Sequence, residues 1–169
     1  MISMLTKLME KLDYKNSIGL ILRTADKSLE QALDSEIKQR FNLTGGQWKV
    51  IMILALREGI SQKEVADLLS VEGPTLVPII DKMEKDGFLT RKLNPNDRRI
   101  NSIFLTKKSL ELVEKIINTI LDFRSIITKG VSKQDIDSAR KVLLKMTQNV
   151  DEFMKIKGQK TLPSLLKDN

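Results

Sequence analysis

The sequence predicts a mainly α-helical fold that carries two short helices joined by a turn and, directly behind them, a small β-hairpin. Three patterns predict it. Residues 61–87 hold two short amphipathic segments, each opened by a helix-start signal and separated by Ser70-Val71-Glu72-Gly73. Residues 88–105 read as two short strands on either side of Asn94-Pro95-Asn96-Asp97, which has turn composition. Long flanking stretches, 4–40 and 107–157, repeat apolar residues at spacings of three and four, the period of a helix with one buried face.

The elements follow in order. Over 4–40 the stripe is Ile18, Leu22, Ala25, Leu29, Ala32 or Leu33, and Ile37, which predicts one long helix packed in the core or on a partner subunit. Thr44 and Gln47 have capping-box spacing and open a helix lined by Trp48, Val50, Ile51, Ile53, Leu54 and Leu56, ending at Glu58-Gly59. Ser61 and Glu64 form a second capping box before Val65, Ala66, Leu68 and Leu69. Pro74 suits the first turn of the next helix, where its missing N–H costs nothing, and Leu76, Ile79, Ile80 and Met83 form that helix's inward face up to Asp86-Gly87. Pro78 removes a helical donor and is expected to tighten or bend the first turn. Strands over 88–93 and 100–105 follow, with Ile103 and Leu105 on one side. Thr106 is expected to cap a helix whose stripe is Leu110, Val113, Ile117, Ile120 and Leu121, broken at Gly130-Val131. Ser132 to Asp135 starts a last helix lined by Ile136, Ala139, Val142 or Leu143, Met146, Val150 and Phe153, and the residues from 158 onward read as a flexible tail.

Composition narrows the function. The chain has 169 residues, 41% apolar and only 4% aromatic, so its core is aliphatic. It contains neither cysteine nor histidine, which excludes disulfides, thiol redox sensing, histidine catalysis and the usual zinc and iron–sulfur ligand sets. No cofactor and no metal is expected. The opening M-I-S-M-L-T-K-L-M-E lacks signal-peptide character and nothing approaches a membrane span, so a cytoplasmic location is expected. Net charge is +7, compatible with a polyanionic partner, but residues 44–106 hold nine Lys/Arg against eight Asp/Glu. If that region binds nucleic acid, the placement of individual cations matters more than bulk charge.

A helix that fits a major groove, followed by a basic hairpin able to reach the adjacent minor groove, points to duplex DNA. On the helix over 74–86 the outward residues are expected to include Thr75, Val77, Pro78, Asp81 and Lys82. Thr75 can bond to a base edge or a phosphate, Val77 can pack on a thymine methyl, and Lys82 suits a phosphate. At the hairpin turn, Arg98 and Arg99 suit a narrow, strongly negative minor groove, and Asp97 can clamp Arg99 from behind. Weaker backbone contacts are expected from Ser61, Lys63, Lys85, Arg91 and Lys92.

Leu43-Thr44 before Trp48, the segment Ser61-Gln62-Lys63-Glu64-Val65-Ala66, the run Asp81 to Leu89, and Asn96-Asp97-Arg98-Arg99 ahead of Leu105-Thr106 together resemble the MarR/SlyA family of bacterial transcription regulators. The resemblance implies a mainly α fold with a small β-hairpin wing: a winged helix-turn-helix lobe over 44–106, and a helical dimerisation lobe built from 1–43 and 107–157. It implies a homodimer on double-stranded DNA with a near-palindromic operator. It also implies a repressor released by a small aromatic or anionic effector, at a ligand site the sequence does not identify. By the family pattern Arg99 is the minor-groove residue and Asp97 its support. The chain departs from the family at Gly73 and Pro78, where arginine or another polar reader is common, and it lacks the cysteines and histidines of the oxidation- and zinc-sensing branches.

Two other readings stay open at this stage. A winged-helix protein-interaction module fits the near-neutral region and the arginine-free helix, and an anti-silencing activator fits weak intrinsic DNA specificity. Catalysis finds no support: no glycine-rich phosphate loop occurs, and Asp135 and Asp137 lie where helix capping accounts for them.

Overall fold

The computed structural model describes residues 2–94 and 101–158. They run α1 (Ile2–Leu12), a 3-10 turn (Tyr14–Asn16), α2 (Ile18–Phe41), α3 (Gly45–Leu56), α4 (Gln62–Leu69), α5 (Gly73–Lys85), β1 (Leu89–Leu93), β2 (Asn101–Leu105), α6 (Lys107–Ile127) and α7 (Lys133–Ile156). Two compact units result, Met1–Thr44 and Gly45–Asn169.

In the first unit the single helix expected over 4–40 is two. Asp13 turns left-handed at φ 47°, and its carboxylate accepts a hydrogen bond from Asn16 Nδ2 at 2.9 Å. Such short polar side chains hold the backbone in local turns that compete with helix. Ser17 then stands at the N-cap of α2, which ends at left-handed Asn42. Of the expected stripe, Ile37 is fully buried, whereas Ile18 and Leu29 are exposed.

In the second unit α3 is the hub, touching α4, α5, α6 and β2. Its Val50, Ile51 and Leu54, with Val65 of α4, Leu76, Ile80 and Met83 of α5, Leu89 and Ile103 of the hairpin and Ile116 of α6, are buried almost completely. Each such side chain contributes about 1.5–3 kcal/mol by leaving water. Where α3 and α5 meet, a Cβ at Gly46 would come within 2.7 Å of Ile79 Cδ1, so the end of the Ile79 side chain would have to shift.

Strands β1 and β2 pair antiparallel, Leu89 opposite Leu105 and Leu93 opposite Asn101. A short third partner, not foreseen from the sequence, precedes α4. Gly59 N–H donates to Ile103 O at 3.0 Å, Ile103 N–H donates to Ile60 O at 2.9 Å, and Ser61 bridges to Ser102. The stretch is too short to show a strand period, so only the long-range pairing defines it. Gly59 enters it at φ +75°, with the Phe104 ring 3.2 Å from the position a Cβ would take.

The Ser61 capping box forms as expected. Ser61 Oγ accepts from Glu64 N–H at 3.2 Å and also donates to the Glu64 carboxylate at 2.6 Å, which accepts from Ser61 N–H at 2.8 Å as well. Ser61→Ala is expected to destabilise the fold by about 1 kcal/mol, read as a lower urea midpoint at unchanged m-value. The Ser61 hydroxyl first, and its N–H second, hold the Glu64 carboxyl below the usual carboxylate range. A depressed folded pKa gives stability that is complete above the unfolded value and lost as pH falls through the folded one. The Ser61→Ala penalty therefore shrinks on acidification below the ordinary carboxylate range.

Two expectations for the later helices are corrected. Thr106 does occupy the N-cap of α6, but its hydroxyl makes no cap bond and donates instead to Gly87 O at 2.7 Å. The inward face of α6 is also rotated. Ser109, Ile116 and Thr119 are buried, whereas Leu110, Ile117 and Leu121 face outward. Helix α6 has apolar residues on two faces, and hydropathy spacing alone does not say which one α3 covers. In α7 Ser132 caps as expected, accepting from Asp135 N–H at 3.1 Å, yet no residue of that helix is buried.

Candidate nucleic-acid interface

Helix α5 is a two-faced rod. Leu76, Ile80 and Met83 are buried, and Thr75, Val77, Pro78, Asp81, Lys82 and Lys85 are exposed on the opposite side. Pro74 sits in the first turn as expected. Of the tightened or bent first turn expected at Pro78, the tightened form is not adopted: the backbone is α-helical from Gly73 through Lys85. Only the donor of one residue is lost, and the ring projects on the exposed side.

Helix α4 packs against α5, and α5 against β1, so helix, turn, helix and hairpin form one assembly. The cations around the exposed face are lightly held. Lys63 pairs with Asp67 at 2.9 Å and Lys82 with Asp86 at 3.1 Å, each one helical turn away. Exposed pairs of this kind contribute about 0.3–0.5 kcal/mol, so a phosphate can displace either carboxylate. Lys92 lies 4.9 Å above the centre of the Phe104 ring. Lys108 stacks 4.0 Å from the centre of Phe88 and donates to Asp86 O at 2.9 Å. Asp97, Arg98 and Arg99 lie outside the described residues.

Arg91 has a different occupation from the phosphate contact expected of it. Its side chain is only 21% exposed. One terminal nitrogen donates to Asp81 Oδ1 at 2.5 Å and lies 3.3 Å from Gln62 Oε1; the other donates to Glu84. Glu84 additionally accepts from the Arg91 backbone N–H at 3.0 Å. Burial, the largest single influence, opposes the guanidinium charge, but the Asp81 and Glu84 carboxylates more than offset it and raise its pKa. Asp81, expected to face DNA, is thus shared between the exposed face and this cluster. The pairing joins residues 10 and 7 positions apart across two elements, a contact no local spacing rule anticipates.

Among the described residues, no group of acidic side chains is placed to hold a metal ion, and no helix is long and apolar enough to cross a membrane.

Comparison with known proteins agrees with this geometry. Residues 43–100 match the model of the MarR family. The fold superposes on the crystal structure of the transcriptional regulator SlyA with a TM-score of 0.72, at 23% identity over 83% of this chain and 99% of that one. A MarR-family regulator from Listeria monocytogenes, crystallised with a 26-mer DNA, gives a TM-score of 0.72 at 25% identity, covering 86% of this chain and 98% of that one. Another solved transcriptional regulator gives 0.73 at 28% identity, covering 80% and 99%. With helix, turn, helix and paired hairpin in this order, the fold is a winged helix-turn-helix, and residues 43–100 are similar to the MarR family.

Proposed function

We propose that the protein is a sequence-specific, double-stranded DNA-binding transcription regulator that works as a homodimer. The observation that carries the reading is the outward face of α5: Thr75, Val77, Pro78 and Lys82 stand in solvent on a rod whose other face is locked into the core, beside the hairpin root. A rigid exposed helix of this size fits a major groove, and the similar Listeria protein was crystallised with DNA. Thr75 and Val77 meet base edges, Lys82 and Lys85 meet phosphates, and Ser61, Lys63 and Lys92 add backbone contacts along the rim. Arg98 and Arg99 enter the neighbouring minor groove, with Asp97 bracing Arg99. Residues 44–106 are the DNA-binding part, and the helices on either side carry dimerisation.

Dimerisation is supported by apolar surface. Leu110 and Leu121 of α6, and Val142, Val150 and Phe153 of α7, are half exposed or more, as are Ile18 and Ile21 of α2. Patches of this kind mark association surfaces. A two-fold pair presents two α5 helices to two half-sites one helical turn, or a multiple of it, apart, hence a near-palindromic operator. The finer reading, a repressor released by a small aromatic or anionic effector, rests on the likeness to the MarR and SlyA regulators.

The test is a binding assay between the wild-type protein and a duplex selected by it from a random library, against a scrambled duplex at several salt concentrations. A preference of roughly 10³-fold or more supports the reading, and equal affinity for both sinks it. Arg99→Ala is expected to lower affinity for the selected duplex at least a few-fold at unchanged helicity, and to reduce the salt slope by about 1 if the contact includes phosphate.

A further inference from the structure

We propose that Arg91 is a positioning residue: it locks the wing strand β1 to the recognition helix α5 so that helix and wing meet DNA at one fixed angle. The inference rests on the DNA-binding reading above.

Strand periodicity puts Arg91 on the same side of β1 as Leu89, which is 2% exposed. The next inward position beyond the core is thus filled by a guanidinium rather than an aliphatic side chain. A buried or half-buried ion pair contributes little net stability compared with an apolar side chain of similar volume, because desolvation offsets the attraction. What it adds is direction. The planar fork has a fixed geometry, and here its two ends hold Asp81 and Glu84, one helical turn apart on α5, with Gln62 of α4 at 3.3 Å. Glu84 also accepts from the Arg91 backbone N–H at 3.0 Å, so the strand itself is tied to the helix, apart from its side chain. β1 leads by sequence straight to Asp97, Arg98 and Arg99. A hairpin free to swing about its root would engage its groove at an ordering cost, whereas one held to α5 presents both readers together.

Electrostatics alone predicts the opposite of this role, which makes it testable. Asp81→Ala with Glu84→Ala removes two negative charges from a surface that faces a polyanion, and frees Arg91 to reach phosphate. On charge alone the variant binds every duplex more tightly, with a steeper salt dependence. On the positioning role, affinity for the scrambled duplex rises while the preference for the selected duplex falls by about tenfold. Arg91→Lys supplies the second arm. It keeps a cation that can serve a phosphate but loses the fork, and the same loss of preference is expected. Asp81→Ala alone, at a 57% exposed side chain, provides a variant that folds if the double one does not. An unchanged ratio of selected to scrambled affinity in folded Asp81→Ala and Arg91→Lys proteins, confirmed by thermal unfolding, overturns the inference and leaves the DNA reading standing. A wild type that does not discriminate between the two duplexes overturns both.

Discussion

Ile80→Ala is expected to destabilise the winged-helix unit by about 2–5 kcal/mol, measured as the shift of a urea unfolding midpoint. Ile80 has no exposed surface and lies on the inner face of α5 between Leu76 and Met83. Truncation removes three carbons from the inner face of a helix that packs against α3, α4 and β1, and a void there costs more the less its surroundings collapse. A loss of this size is a large part of the total stability of an ordinary domain. Three residues earlier, on the other face of the same helix, Val77→Ala is expected to leave stability within about 0.5 kcal/mol. On the proposed DNA reading, its cost falls instead on binding of the selected duplex. A Val77 variant that unfolds like the Ile80 one would mean that the two faces of α5 have been assigned the wrong way round.

Placing two acidic residues on α7, Val142→Asp with Phe153→Asp, is expected to convert the proposed dimer to a monomer and to weaken binding to the selected duplex by roughly 100-fold or more. Both side chains are more than half exposed, and no residue of α7 is buried by the chain's own fold. A 24-residue helix with an apolar stripe, none of it fully buried, is what a partner surface would cover in the proposed dimer. Carboxylates on that surface must be desolvated on association, at several kcal/mol each. Loss of the second reader then removes the effective concentration that one bound subunit provides for the other. Sedimentation velocity at micromolar concentration checks the mass, and a wild-type mass of one chain would remove the basis of the prediction. Because these positions are exposed in the single chain, its helical content should not change.

Much of the winged-helix unit was legible from residue order. The Ser61–Glu64 box, Pro74 in a first turn, the left-handed glycines at 59, 87 and 130, and the inward set of α5 all act within one or two turns of backbone, where sequence spacing is the governing variable. The break at Asp13 was also local, but its turn signal lay inside a longer apolar period that reads through it. The wing tip was read from the sequence alone, since Asp97, Arg98 and Arg99 lie outside the described residues.

From α3 onward, pattern by itself determined the kind of elements, their order, and that α5 offers Thr75, Val77 and Lys82 to solvent, because hydropathy period and capping chemistry are short-range. Only the tertiary structure decided which face of α6 lies against α3, that residues 59–61 join the hairpin, and that Arg91 turns toward Asp81 and Glu84 instead of outward. Each of those outcomes joins groups on separate elements. It depends on which surfaces the packed helices leave available, and a guanidinium near two carboxylates takes the nearest partners that packing supplies.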